Sequence, residues 1–139
     1  MTKKEIQNIL DDLHLTYKVD EDGDLLVVLS ADDDYGYNVG IFINCECDGD
    51  VIKMLGGSGQ HFSKDKHGEM IVFCNKWNAE KRWPKAYVIE QRDGDLDVRC
   101  EIQVNGVTHS VSDDFIKENI TSMTATTWLF FKELGKEFK

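Results

Sequence analysis

The 139-residue sequence predicts an α+β fold, with three helices and an antiparallel sheet of about six strands in the order α-β-β-β-β-α-β-β-α. Short segments in which apolar and polar residues alternate recur along the chain, as is typical of half-buried strands. The dipeptide Asp-Gly stands between such segments at Asp22-Gly23, Asp48-Gly49 and Asp93-Gly94, and it is a strong hairpin signal. Helices packed against an antiparallel sheet define the α+β class.

The first predicted helix covers about Lys3 to Leu13, where the apolar residues fall at helical spacing. Three hairpins are then expected, each with a two-residue turn that brings apolar residues opposite one another on one face of the sheet. The predicted pairs are Val19 with Leu26, Tyr17 with Val28, Cys45 with Ile52, Ile43 with Met54, Ile89 with Val98, and Tyr87 with Cys100.

The middle of the chain alternates between loops and regular elements. An acidic loop is predicted from Ala31 to Gly36, followed by a half-buried strand from Tyr37 to Cys47. A glycine-rich loop is predicted from Gly56 to Lys64. The second helix is expected from about Lys66 to Arg82, because Pro84 disfavours helical geometry at the residue before it. Its predicted buried residues are Met70, Ile71, Phe73, Cys74 and Trp77.

The final strand runs from Leu96 to Val104 with strict alternation, and the final helix follows Ser112, a suitable N-cap. The apolar residues of this helix exceed one buried face. Its predicted core arc is Ile116, Ile120, Met123, Thr127, Phe131, Leu134 and Phe138, and the residues off that arc are Phe115, Ala125, Trp128 and Leu129. A patch of this kind, if exposed, would call for a partner.

Composition restricts the classes of function. The chain carries 26 acidic and 16 basic residues, for a net charge of −10, which disfavours binding to nucleic acid and to anionic membranes. The N-terminal segment lacks the apolar core of a signal peptide, and no stretch reaches the ~20 apolar residues of a membrane span. The length indicates a single domain over residues 1–139. Four cysteines without a disulfide or zinc pattern indicate reduced thiols and a cytoplasmic protein.

No motif in the sequence predicts a catalytic, cofactor or metal site. Cys45 and Cys47 alternate with buried positions and have no second ligand pair, so they are interpreted as buried small hydrophobes rather than as zinc ligands. The four histidines are scattered, and Gly56 to Gly59 lacks the lysine of a phosphate-binding loop. We therefore expect no enzymatic activity and no cofactor.

Asn78 lies at the edge of the second helix's apolar arc, where an amide should have a specific hydrogen-bond partner. Two interpretations remain open. The amide ties the helix end to the following loop, or it anchors a partner or ligand.

The segment from Met70 to Val104 combines an Asn-Lys-Trp-Asn run, an aromatic-Pro-Lys-Ala-Tyr-Val run and an Asp-Gly-Asp turn. The residues of these motifs include Asn75, Trp77, Asn78, Trp83, Pro84 and Tyr87. With these motifs the segment resembles the YbjN family of bacterial proteins, often described as sensory transduction regulators. The resemblance implies a fold similar to type III secretion chaperones, a tendency to dimerise, and no enzymatic activity or cofactor.

The leading hypothesis is thus a non-enzymatic cytoplasmic protein-interaction module, regulatory or chaperone-like, that acts as a homodimer or binds an unidentified protein partner. Phe115, Ala125, Trp128 and Leu129 are its candidate contact residues. The alternative is a small-molecule-sensing regulator with a pocket between the sheet and the helices.

Overall fold

The structure is a computed structural model that describes residues 1–31, 34, 37–108 and 111–138. Within these residues, three α-helices and six strands follow one another in the predicted order. They are α1 (Lys3–Asp12), β1 (Tyr17–Val19), β2 (Leu25–Leu29), β3 (Val39–Glu46), β4 (Val51–Phe62), α2 (His67–Glu80), β5 (Lys85–Glu90), β6 (Leu96–Val104) and α3 (Asp113–Phe138). Most of the predicted acidic loop, and His109, lie outside the described residues.

The strands form one antiparallel sheet in the order β1-β2-β3-β4-β6-β5, so β1 and β5 are its edges. Buried and partly exposed residues alternate along β2, β3 and β6. The buried positions form a single core with residues of all three helices, including Ile6, Met70 and Phe131. The helices therefore cover one face of the sheet, and the other face is open.

α3 lies very close to the sheet where it crosses β4. A Cβ atom at Gly56 would stand 2.7 Å from Cγ2 of Thr127, so only glycine allows this approach. The predicted arc of α3 is buried except for Phe138, which is partly exposed. Phe130, which the arc omits, is fully buried, with its ring centre 5.1 Å from that of Trp77.

The predicted registers of the first and third hairpins are wrong by one residue. The observed pairs are Val19 with Leu25, Tyr17 with Val27, Ile89 with Asp97, and Tyr87 with Arg99. The N–H group of Gln91 donates to the carbonyl of Asp95, which closes a three-residue turn whose last residue, Gly94, has a φ of 90°. A type I turn followed by a left-handed glycine has this geometry. Asp20 and Gly23 make the same turn in the first hairpin.

The second hairpin has the predicted register, with Cys45 opposite Ile52 and Ile43 opposite Met54. Its first strand, β3, begins two residues later than predicted, at Val39, and ends one residue earlier, because Cys47 lies in the turn with a φ of 52°. The interpretation of Cys47 as a buried hydrophobe is wrong, since its side chain is exposed. Cys45 is partly buried.

The predicted glycine-rich loop is wrong for most of its length, because β4 continues to Phe62. Its pairing with β6 resumes at His61 after an irregularity that begins at Gly57, and the positive φ of Gly59 accommodates the extra residues. α2 is shorter than predicted by about one residue at its start and two at its end. Ile71 is 50% exposed rather than buried.

Candidate functional site

The face of the sheet opposite the helices, here called the open face, is covered by none of the three helices. Its strand positions are Lys18, Leu26, Val28, Gly40, Phe42, Asn44, Glu46, Val51, Lys53, Leu55, Gly57, His61, Lys85, Tyr87, Ile89, Asp97, Arg99, Glu101 and Gln103. Leu26 pairs with Phe42, and Phe42 pairs with Leu55, so three large apolar side chains form a row across β2, β3 and β4. The row is partly exposed.

A depression adjoins this apolar row. Gly40 and Gly57 are paired across β3 and β4 and leave its floor without side chains. Its volume is ≈ 470 Å³, and Val28, Phe42 and Leu55 form much of its apolar wall. Such a depression can accept a large apolar side chain or a small ligand with an apolar body.

The charged side chains at the β5–β6 end of the open face are paired with one another. The hydroxyl of Tyr87 donates to Oε2 of Glu101 at 2.7 Å, and Nζ of Lys85 lies 3.7 Å from Oε1 of Glu101. Nε of Arg99 lies 2.8 Å from Oδ2 of Asp97. Since these charges already have partners, covering them requires less desolvation than covering isolated charges would.

The contact between Tyr87 and Glu101 shifts the pKa values of both side chains. The hydrogen bond from Tyr87 lowers the pKa of Glu101, with smaller contributions in the same direction from Lys85 and Lys53. Burial, followed by the hydrogen bond to Glu101, raises the pKa of Tyr87 to about 12. The phenol and the carboxylate therefore act as a donor and an acceptor over the neutral pH range.

Asn78 joins the end of α2 to β5. Its Nδ2 donates to the carbonyl of Ala86, and its Oδ1 accepts from the Ala86 N–H, both at 2.9 Å. Nε1 of Trp77 donates to the carbonyl of Pro84 at 3.0 Å. The structural interpretation of Asn78 is thus confirmed, although the strand β5, rather than a loop, receives the amide.

The other residues of the resemblance have different surroundings. Pro84 is buried at the α2–β5 junction, and Tyr87 donates a hydrogen bond to Glu101. Asn75 is exposed, and Trp83 is 45% exposed. The packing of the junction explains neither of these two side chains.

The structure does not bring the four candidate contact residues of α3 into one patch. Ala125, Trp128 and Leu129 lie within about one turn, whereas Phe115 precedes Ala125 by ten residues, about 15 Å along the helix. Phe115 is 47% and Leu129 36% exposed. Trp128 is partly buried, and its Nε1 donates to the carbonyl of Ser30 at 2.9 Å.

One group of possible metal ligands was missed by the sequence analysis. Ligand atoms of His61, Asp93 and Asp95 lie within 4.8 Å of one another, and all three residues are exposed. They meet because the end of β4 lies beside the β5–β6 turn, a proximity that no sequence spacing reveals. Exposed acidic groups commonly lie near one another without an ion, and nothing else at this place points to one.

The thiols in the core are chemically inert. Burial raises the pKa of Cys74 to about 11 and that of Cys100 well above its usual value. A thiol that stays protonated is a poor nucleophile and a poor metal ligand.

Comparison with known proteins identifies a family. The sequence model of the YbjN family, described as "Putative bacterial sensory transduction regulator", matches residues 2–136. No curated protein matches the chain by sequence. No helix among the described residues has the length and apolar character needed to cross a membrane.

Two solved structures share the fold. The crystal structure of YbjN from E. coli, described as a putative transcription regulator, superposes with a TM-score of 0.75 at 13% identity and covers 99% of this chain and 93% of its own. An uncharacterised protein from Methanothermobacter thermautotrophicus gives a TM-score of 0.54 at 12% identity over 100% of both chains. At these identities the likeness establishes the fold alone.

Proposed function

Because this chain belongs to the YbjN family, we propose that it is a non-enzymatic cytoplasmic regulatory module that acts by binding protein through its open face. The apolar row of Leu26, Phe42 and Leu55, with the adjoining depression, is the observation that supports this proposal. A partly exposed apolar row at the centre of a sheet face is typical of a protein-binding surface.

The occupant that we propose is a second copy of the chain. Phe42 and the floor residue Gly40 lie on the same strand two residues apart, a distance of about 7 Å. A two-fold axis between them would place each Phe42 ring in the depression of the other copy. A surface that carries both a partly exposed aromatic ring and a cavity beside it can be self-complementary, as a two-fold interface requires.

The charge distribution supports the same occupant. The strand positions of the open face carry four cationic residues, Lys18, Lys53, Lys85 and Arg99, and three acidic residues, Glu46, Asp97 and Glu101. The whole chain has a net charge of −10. The acidic excess therefore lies on other surfaces, and two open faces can meet without bringing it together.

Sedimentation equilibrium of the full chain tests this proposal. We expect a dimer, and we expect Phe42→Glu to weaken it by about a hundredfold or more, because a buried carboxylate replaces a central aromatic contact. Leu129→Glu, which puts the same charge on the α3 patch, is the matched control and should leave the dimer intact. Circular dichroism checks that both variants fold.

Two results would contradict the proposal. The first is a wild-type chain that stays monomeric at millimolar concentration, since the open face would then bind another protein or nothing. The second is a dimer that Leu129→Glu disrupts and Phe42→Glu does not, because the interface would then lie on α3, as the sequence hypothesis placed it.

A second candidate function, small-molecule sensing, is favoured by the volume of the depression. At ≈ 470 Å³ it has the size of a typical ligand site. It lies on the open face rather than between the sheet and the helices. A thermal-shift screen against metabolites tests this candidate: a hit that Phe42→Glu abolishes supports it, and a hit that this variant leaves unchanged contradicts it.

A further inference from the structure

The segment that joins α2 to β5 concentrates positive charge around an exposed tryptophan. Lys81, Arg82, Trp83 and Lys85 line a cavity of ≈ 510 Å³, together with Gln103 and other residues of β6. Here these five residues are called the Trp83 site. They share no lining residue with the depression on the open face.

The cations of this site are incompletely neutralised. Arg82 makes no ion pair with any residue that the structure describes. Nζ of Lys81 lies 5.8 Å from the ring centre of Trp77, and that of Lys85 lies 3.7 Å from Glu101. Glu101 also binds the Tyr87 hydroxyl. The cavity lining thus has three cations and one carboxylate, in a chain whose net charge is −10.

A purely structural role explains only part of this arrangement. Lys81 and Arg82 follow the C-terminal end of α2, where cations interact favourably with the helix dipole. The dipole does not explain Trp83, whose large apolar ring is 45% exposed beside these cations. An exposed aromatic ring next to unpaired cations is a combination that recognises a flat anionic ligand.

We propose that the Trp83 site binds a nucleoside phosphate. The base stacks on the Trp83 ring, and Arg82 and Lys81 bind the phosphate oxygens. Nε2 of Gln103 donates to Asn105 at 2.8 Å, which leaves Oε1 of Gln103 as an acceptor for an amino group of the base. The cavity volume is that of a small-ligand site, and the acidity of the rest of the chain disfavours a nucleic acid polymer.

This inference goes beyond protein binding and does not depend on it. The open-face interface is centred on Phe42 and the depression, and the depression shares no lining residue with the Trp83 site. Lys85 and Gln103 are also strand positions of the open face, whereas Arg82 and Trp83, which the experiment below changes, are not. Failure of either proposal is therefore distinguishable from failure of the other.

Isothermal titration calorimetry of the full chain with ADP tests the proposal, with adenosine and pyrophosphate as separate probes. ADP should bind at least about tenfold more tightly than either fragment, because only ADP engages the ring and the cations together. Arg82→Gln should weaken the binding of ADP by about tenfold or more. The matched control is Arg92→Gln, an exposed arginine in the β5–β6 turn, which should leave ADP binding unchanged. Trp83→Leu should also weaken the binding of ADP, because it removes the ring on which the base stacks. Trp83→Phe should keep part of the affinity, because it retains an aromatic ring.

The contrary results are equally specific. The proposal is wrong if ADP does not bind at millimolar concentration, or if it binds wild-type and Trp83→Leu proteins equally. It is also wrong if pyrophosphate binds as tightly as ADP, since the site would then be an anion site without base recognition. Binding of hexaglutamate in preference to ADP would identify an acidic peptide site instead. Thermal melting checks that each variant is folded.

Discussion

The Tyr87 hydroxyl and the Glu101 carboxylate, 2.7 Å apart on the open face, make the stability of the protein depend on pH in two ranges. Glu101 has a pKa below its usual value of 4.5 in the folded chain, so its contribution to stability is present at neutral pH and is lost as pH falls through that lowered pKa. Tyr87 has a pKa raised from 10.0 to about 12, so its contribution is complete below pH 10 and is lost as pH rises towards 12.

Tyr87→Phe is expected to reduce both pH dependences. At pH 7 it should lower the free energy of unfolding by ~1–2 kcal/mol, because it removes a hydrogen bond to a carboxylate that is largely shielded from solvent. Urea unfolding between pH 3 and pH 11 measures the effect. Glu101→Gln and the double variant complete a mutant cycle. Two results would contradict the assigned role of the Tyr87–Glu101 hydrogen bond. One is a coupling energy near zero at pH 7, and the other is a loss of stability at acid pH that is the same in Tyr87→Phe as in the wild-type protein.

At the scale of the elements, the sequence was sufficient for the order of helices and strands, the class of the fold and the register of the second hairpin. It was insufficient for the other two registers. The Asp-Gly signal marks a hairpin but does not fix its loop length, and Gly23 and Gly94 each end a three-residue turn. The shift by one residue moves Tyr87 and Ile89 onto the open face. The open face could therefore not be assembled from the sequence.

The candidate sites likewise depend on how strands pair and how elements pack, which the sequence alone did not reveal. The row of Leu26, Phe42 and Leu55 exists only through pairings between three strands. Trp83 could be recognised in the sequence as part of a family resemblance, but its exposure follows from how α2 ends against β5. In α3, periodicity identified the residues off the core arc, yet it could not show that Trp128 bonds to Ser30.

The junction of α2 with β5 provides a prediction at this scale. Ala86 directs its backbone N–H and carbonyl away from β6, and Asn78 satisfies both groups at an edge of the sheet. Asn78→Ala should lower the free energy of unfolding by ~1–3 kcal/mol, because it removes two hydrogen bonds and leaves both backbone groups without their partner. Denaturant unfolding measures this change.

Asn75→Ala is the matched control for that prediction. Asn75 is an exposed amide on the same helix, and its removal should change stability by less than about 0.5 kcal/mol. Asn78→Asp adds a further check, because it keeps the acceptor for the Ala86 N–H but sets a carboxylate against the Ala86 carbonyl. Equal stabilities of Asn78→Ala and Asn75→Ala would show that the amide bridge contributes nothing to the junction.

At the scale of the whole molecule, the separation of charge from the apolar row determines how association should respond to salt. Each copy carries a net charge of −10, while the strand positions of the open face are close to neutral. Two copies that meet through this face gain apolar contact and experience repulsion between their distant acidic surfaces. Screening of surface charges beyond the Debye length, ~10 Å at 0.1 M salt, weakens that repulsion and leaves the apolar contact in place.

Raising NaCl from 50 to 500 mM should therefore lower the dimer Kd by about threefold to tenfold. Sedimentation equilibrium at several salt concentrations measures it. ADP binding to the Trp83 site should weaken as salt rises, because salt screens the attraction between the phosphates and the nearby cations. The two affinities should therefore change in opposite directions, and each titration is a control for the other. A dimer Kd that rises with salt would mean that attraction between opposite charges holds the two copies together. The interface would then involve the acidic surfaces of the molecule rather than the apolar row of the open face.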